Sequence, residues 1–311
     1  MIVDPQPQAR PPAPRRAPPT LSCRRMEPAP AAFGQAREQL LALVNDLRPQ
    51  LHRYCARLTG SVIDGEDIVQ DTLAKALYAL SMVTEVPPLR PWLFRIAHNA
   101  ALDYLKSHGK RFTEPRDDLD DVVGDEPADP GVVRAALSRF VALPIAQRSA
   151  VILKDVLGHS LEEVAETMST TVPGVKAALA RGRGKLREAE AAAPSFDPAH
   201  RGELERYAAL FNERDWDGVR TLIGEDCRLD LVAKSQRRGK AVGGYFARYA
   251  DQAVRLAVAR LEGQLVLAAF EGDGAAPAYF ILFDWEHGRV QAIRDFRYVA
   301  YVTDDADYEL L

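Results

Sequence analysis

Cysteine is scarce in this 311-residue chain: Cys23, Cys55 and Cys227 lie far apart, with no CxxC pair and no cysteine/histidine spacing of a metal site. That scarcity excludes a disulfide framework and a zinc module, and it points to a reducing compartment, the cytoplasm. No apolar run is long enough to cross a membrane, and the N-terminus lacks the apolar centre of a secretory signal, so no membrane is expected among the partners. An excess of one charge is missing too. With 40 Lys and Arg against 44 Asp and Glu the formal net charge is -4, so contact with nucleic acid must come from local patches rather than from the overall field. What the chain does have is length and apolar content, 47% hydrophobic, enough for two or three small cores.

The most informative segment is SLEEVAETMSTTVPGVKAALARGRGKLREA, residues 160–189. Ser160 and Glu163 have the spacing of a capping box, in which each side chain satisfies an orphan amide of the other residue, so a helix should start near Leu161. The Ser169-Thr170-Thr171 run breaks the pattern. Thr171 is expected to cap a second helix, whose first turn tolerates Pro173. Val175, Leu179 and Leu186 line one face with Gly182 on the same stripe, while Lys176, Arg183 and Arg187, flanked by Arg181 and Lys185, form an outer row. Two short helices with such a row suit a helix-turn-helix that reads the major groove; the alternative is a solvated basic face on an ordinary helical hairpin.

Three helical patterns precede it. Leu40, Val44, Leu47, Leu51, Tyr54 and Leu58 form one stripe, which Pro49 should kink or divide. Asp64 is expected to cap the next helix, with Val69, Leu73, Ala76, Leu77 and Leu80 inward and Glu66, Asp67 and Asp71 near its positive end. A third follows Pro87-Pro88 and Pro91, with Trp92, Leu93, Ile96 and Leu105 on one side and Arg95, His98, Asn99 and Lys106 on the other. Basic and aromatic side chains together suit unstacked bases and phosphates, although Trp92 is as readily a core residue.

Two of these stretches carry a resemblance. GEDIVQDTLAKALYAL with LRPWLFRIAHNAALDYLKSHGKR resembles region 2 of the bacterial sigma-70 factors, and ALPIAQRSAVILKDVLGHSLEEVAETMSTTVPGVKAALARGRGKLRE resembles their region 4; the order and spacing are those of the extracytoplasmic function (ECF) group. The resemblance implies a factor that binds core RNA polymerase and promoter DNA, with an anti-sigma factor as a further partner. It assigns Asp67, Gln70 and Asp71 to the polymerase clamp, and Trp92, Arg95, Asn99 and Lys106, with the loop Ser81 to Leu89, to the -10 element. Thr171, Lys176, Arg181, Arg183, Lys185 and Arg187 fall to the -35 element.

Residues 200–311 follow a different pattern. Leu204, Tyr207, Ala208 and Phe211 form a helical stripe, Trp216–Ile223 and Val242–Tyr249 suggest two more helices, and strands are expected at Cys227–Leu231, Val254–Leu261, Gln264–Phe270, Tyr279–Trp285 and Val290–Tyr301. Helices followed by a curved antiparallel sheet suggest an α+β cone. YAALFNERDWDGVRTLIGEDCRLDLV resembles the opening of SnoaL-like domains, which some ECF factors carry as an extension. Relatives with this shape include isomerases and cyclases, which raises Asp230, Asp284 and His287 as catalytic candidates. Asp284 and His287 flank a hairpin turn, however, where polar residues are expected anyway.

The expected architecture is therefore multidomain: a disordered Pro/Arg-rich tail (1–33) in which translation starts at Met1 or at Met26, an all-α region 2 bundle (34–111), an acidic linker (112–130), an all-α region 4 helix-turn-helix (131–192) and an α+β SnoaL-like cone (193–311). The expected function is a sigma factor tuned in cis by its C-terminal domain, with no enzymatic activity, metal or cofactor. A conventional helix-turn-helix regulator with a ligand-sensing C-terminal domain is the alternative.

Overall fold

The computed structural model describes residues 31–82, 87–108, 135–189, 199–246, 249 and 252–311. The acidic linker, Met26 and part of the loop between Ser81 and Leu89 lie outside the described residues.

The chain opens with helix α1, Ala31–Thr59. It begins inside the span expected to be a tail, and Pro49 neither breaks nor divides it. Helix α2, Val62–Leu80, is capped by Ser61, whose side chain accepts the Asp64 amide. Asp64 is thus in the first turn rather than at the cap, because the short serine hydroxyl already meets that donor. The two helices pack closely at Gly65, where a β-carbon would lie 2.6 Å from the Ala56 amide nitrogen. Helix α3, Leu89–Ser107, carries Pro91 in its first turn as expected.

The second helical unit holds α4 (Leu137–Val141), α5 (Ile145–Val151), α6 (Leu161–Thr167) and α7 (Val172–Glu188). Helix α5 widens into a π-turn over Ile152–Val156. The two units share one continuous apolar core that runs from Leu40 and Leu51 through Phe94 and Ala101 to Phe140, Val151 and Leu186.

The C-terminal domain places α8 (Arg201–Asn212) and α9 (Trp216–Leu222) ahead of a seven-stranded sheet. Its strands are β1 (Ile223–Leu231), β2 (Ser235–Arg238), β3 (Val254–Leu261), β4 (Gln264–Glu271), β5 (Tyr279–Glu286), β6 (Arg289–Asp295) and β7 (Tyr308–Leu310), in the order β2-β1-β6-β5-β4-β3-β7. A short helix α10, Gly243–Phe246, lies between β2 and β3. The stripe Leu204, Tyr207, Ala208 and Phe211 buries α8 against the sheet. This is the expected α+β arrangement with two corrections. The β1–β6 pairing is parallel in a sheet that is otherwise antiparallel, and the expected last strand stops at Asp295, where the chain turns away into a 3-10 turn at Ala300–Thr303.

Candidate nucleic-acid and partner interfaces

The helix-turn-helix is built by its caps. The Ser160 amide donates to Glu163 Oε2 at 2.8 Å, and the Glu163 amide donates to Ser160 Oγ at 3.1 Å. The accepted backbone hydrogen bond holds the Glu163 carboxyl below its ordinary value. Thr171 caps α7 by accepting the Gly174 amide at 3.3 Å. Gly182 is where α7 meets α5; a β-carbon there would stand 2.7 Å from Val151 Cγ2 and 3.0 Å from the Gln147 carbonyl. Lys185 and Arg187 are exposed, and Lys176 and Arg181 are half-buried.

Arg183 departs from its expected place in the outer row. Its Nε and Nη2 donate to the Asp155 carboxylate at 2.8 and 2.6 Å, and the Asp155 side chain is 1% exposed. The π-turn carries Asp155 inward, and Arg183 of α7 answers that buried charge. Spacing alone could not show this, since the partner lies 28 residues away.

On α3, Asn99 and Lys106 are exposed, Arg95 is half-exposed and Trp92 is half-buried against the helical core. His98, expected on the polar side, is buried and bonds Tyr54 Oη at 2.7 Å; burial pushes its pKa down to about 4. The same face of α3 meets the second unit. Arg95 lies 3.9 Å from Glu166 of α6, and Phe94 meets the His159 ring edge-on at 4.6 Å. Arg148, 4% exposed, crosses the seam. It donates to the Leu58 carbonyl at the end of α1 and to the carbonyls of Val141 and Leu143 at 2.7 and 2.8 Å, and burial pushes its pKa down to about 10.

The acidic face of α2 is met by the C-terminal domain. Arg294 of β6 grips the Asp67 carboxylate, and its Nε also lies 3.7 Å from Asp230. Burial raises the Asp67 pKa, against the opposing pull of Arg294. Glu262, in the β3–β4 turn, accepts the Val62 amide at 2.9 and 3.1 Å and so adds a second cap to α2 from another domain. Glu66, fully buried, is held by Arg48 and by Tyr301 Oη at 2.7 Å. Asp305 accepts from Arg57 at 2.8 Å and from Arg53 at 3.1 Å. Gln70 is half-buried, and Asp71 is exposed and paired with Lys75 at 2.7 Å. Tyr78 and Met82, 69% and 67% exposed, continue this surface two and three turns beyond Asp71. Tyr78 lies outside the apolar stripe of α2 and carries no periodic signal in the sequence, whereas Met82 falls within the loop expected at the -10 element.

Inside the cone, another unpredicted group assembles. Asp295, fully buried, accepts from Tyr245 Oη at 2.9 Å, from Tyr249 Oη at 3.3 Å and from Arg297 Nε at 2.9 Å, while Arg297 also donates to Tyr279 Oη at 3.1 Å. Burial pushes the Asp295 carboxyl up to about 7. An acid next to Phe296 at the end of β6 was the available signal. The three acid and base candidates do not converge: Asp230 lies beside Arg294, Asp284 is exposed on β5, and His287 is 90% exposed in the β5–β6 turn. An open cleft of about 480 Å³ lies elsewhere, lined by Arg220, Ile223, Gly224, Glu225, Gly239, Val242 and Phe246.

Comparison with known proteins gives these surfaces a context. Residues 43–124 match the family model for sigma-70 region 2, and residues 134–186 match that for sigma-70 region 4. The chain is similar to ECF RNA polymerase sigma factor SigG of Mycobacterium tuberculosis, 31% identical over 207 residues, covering 55% of each protein. It is similar to SigM of that organism at 33% over 138 residues, 44% of this chain and 69% of the relative. SigJ of the same organism is 31% identical over 221 residues, 64% of this chain and 67% of the relative. The crystal structure of SigJ aligns with 82% of this chain and 95% of its own at 25% identity and a TM-score of 0.35. The chain spans about half the length of SigG, the first of these relatives.

Proposed function

Since the chain belongs to the ECF RNA polymerase sigma factors, we propose that it binds core RNA polymerase, directs it to a two-part promoter and is restrained in cis by its own C-terminal domain. The observation that supports this reading best is the pairing of Arg294 with Asp67: the residue assigned to the polymerase clamp is already occupied by a cation from the sheet. Polymerase and sheet then compete for α2, through Asp67, Gln70 and Asp71, and complementary charge sets which one holds it.

On promoter DNA, Trp92, Arg95, Asn99 and Lys106 contact the melted -10 strand by stacking and by phosphate neutralisation. Thr171, Lys176, Arg181, Lys185 and Arg187 engage the -35 duplex, with Arg183 holding α7 in place through Asp155. Both elements cannot be engaged while Arg95 faces Glu166 across the seam, so promoter binding requires the two helical units to separate. An anti-sigma factor would act by holding the same surfaces. The protein performs no chemistry in this reading, which the enclosed, fully bonded Asp295 cluster and the scattered Asp230, Asp284 and His287 support. Its place of action is the cytoplasm, where polymerase and promoter are found.

Run-off transcription with purified core polymerase tests the proposal. Initiation at a defined start site, lost on Asp67→Arg with Asp71→Arg, is expected; no initiation at any promoter, including that of its own gene, contradicts it.

A further inference from the structure

The C-terminal domain carries a charged edge that none of these contacts uses. Over residues 199–311 acids outnumber bases, 19 Asp and Glu against 15 Lys and Arg. Within residues 228–240 the balance reverses: Arg228, Lys234, Arg237, Arg238 and Lys240 accompany a single acid, Asp230. Folding brings two of these cations together. β1 and β2 pair so that Arg228 stands directly opposite Arg238 on one face of the sheet. Both are exposed, Arg237 beside them is half-buried, and none of the three forms an ion pair among the described residues. Asp230, the acid on that face, lies beside Arg294 instead. In the connecting turn, Lys234 Nζ sits 4.0 Å over the ring of Tyr298, which is 37% exposed. Besides Asp230, the acids of β1 are Glu225 and Asp226, toward its opposite end from this turn.

Like charges directly opposite each other weaken an antiparallel pair. Charge on an edge strand does discourage edge-to-edge pairing, but that purpose needs neither a facing arginine pair on the broad face nor a basic residue stacked on an exposed tyrosine. An exposed facing pair of arginines with a lysine in the adjoining turn, without ion-pair partners among the described residues, is instead suited to the phosphates of a polyanion.

We propose that the β1–β2 edge of the C-terminal domain binds the phosphate backbone of duplex DNA, independently of base sequence. The assignment rests on the promoter reading above, because DNA is the polyanion that a promoter-binding chain meets. Release of Arg294 from Asp67 by polymerase would add a further cation to the same face, so the edge gains charge when the sheet leaves α2.

The test is the salt dependence of the full chain's affinity for a labelled DNA duplex, compared among the wild type, Arg228→Ala with Arg238→Ala, and Lys176→Ala. Each lost phosphate contact lowers the slope of log K against log salt by about 0.9, so the double variant is expected to lower it by about 2 on duplexes of any sequence. Arg228→Gln with Arg238→Gln keeps the bulk and must give the same change, which separates charge from folding. An unchanged slope in both double variants overturns the proposal; if Lys176→Ala still lowers it, the promoter reading stands without the edge, and if no variant changes it, both fall. Loss of core polymerase affinity in the double variants with an unchanged DNA slope also overturns it, and makes the edge a protein contact.

Discussion

Arg294 and Asp67, 227 residues apart, meet in a two-pronged contact of 2.5 and 3.3 Å between strand β6 and the acidic face of helix α2. The next residue, Asp295, points the other way, into the aromatic interior of the cone, where three tyrosines and Arg297 surround it. One strand therefore presents a cation to the helical units and a buried acid to its own core, a consequence of the two-residue period of β-structure.

Docking of the C-terminal domain should weaken as pH rises. Burial pushes the Glu262 carboxyl from its ordinary 4.5 up to about 7, although the Val62 amide pulls the other way. A raised pKa in the docked state means that docking takes up a proton: its contribution is full below the undocked value and is lost as pH passes through the docked one. Asp67, also raised, has the same sign. Asp305 is held low because its bonds to Arg57 and Arg53 outweigh burial, so its opposite contribution is lost only under more acidic conditions. Between about pH 5 and about pH 8, amide exchange at Val62, corrected for its intrinsic rate, is expected to accelerate. Glu262→Gln should keep the acceptor and flatten that trend, leaving only the contribution of Asp67.

Arg183 and Lys176 should behave differently although both lie on α7. Arg183→Ala leaves Asp155 as a buried, unpaired charge and is expected to cost about 3 kcal/mol of stability. Lys176→Ala should leave the melting temperature nearly unchanged and weaken duplex binding with a shallower salt slope. Thermal denaturation beside a salt titration reads both. Equal melting temperatures would show that the Asp155 pair is not structural.

Two glycines of the same helix provide an internal control. Gly182→Ala would press a β-carbon onto Val151 and the Gln147 carbonyl, whereas Gly184 faces open space. Overpacking should make the first destabilising by about 1–3 kcal/mol, and helix propensity should make the second stabilising by up to about 1 kcal/mol. Chemical denaturation of the two variants is the check.

Arg148→Ala should loosen the seam between the helical units. It removes the donor for three carbonyls, one of them from α1, and a loss of about 2–4 kcal/mol is expected. A larger distance between labels on α3 and α7, measured by energy transfer, would accompany it. A lower melting point with an unchanged distance would confine Arg148 to the second unit.

Much of this architecture was legible because it is local. The capping box at Ser160, the Thr171 cap, the place of Gly182 on the inward stripe of α7 and the hairpin turn at His287-Gly288 depend on residues a few positions apart or on one helical face, and each is found where spacing put it. Pro49 does not divide α1, because burial of the surrounding stripe, Leu47, Leu51 and Tyr54, holds the helix together across one missing hydrogen bond. The parallel β1–β6 pair and the early end of β6 escaped because strand partners are chosen by tertiary packing, not by alternation. The interdomain contacts were invisible for the same reason. Nothing local in Arg294, Glu262 or Tyr301 marks α2 as its partner, and Arg183 read as a groove contact until its buried acid was in view.

The central claim is that the sheet and core polymerase compete for the acidic face of α2, and Arg294→Glu tests it most directly, because it places a like charge against Asp67 without altering α2. Equilibrium binding of labelled full-length protein to purified core polymerase should tighten by about fivefold or more, the equivalent of losing a partly exposed ion pair of about 1 kcal/mol. Unchanged or weaker binding by the variant, or no binding by either protein, would contradict the account.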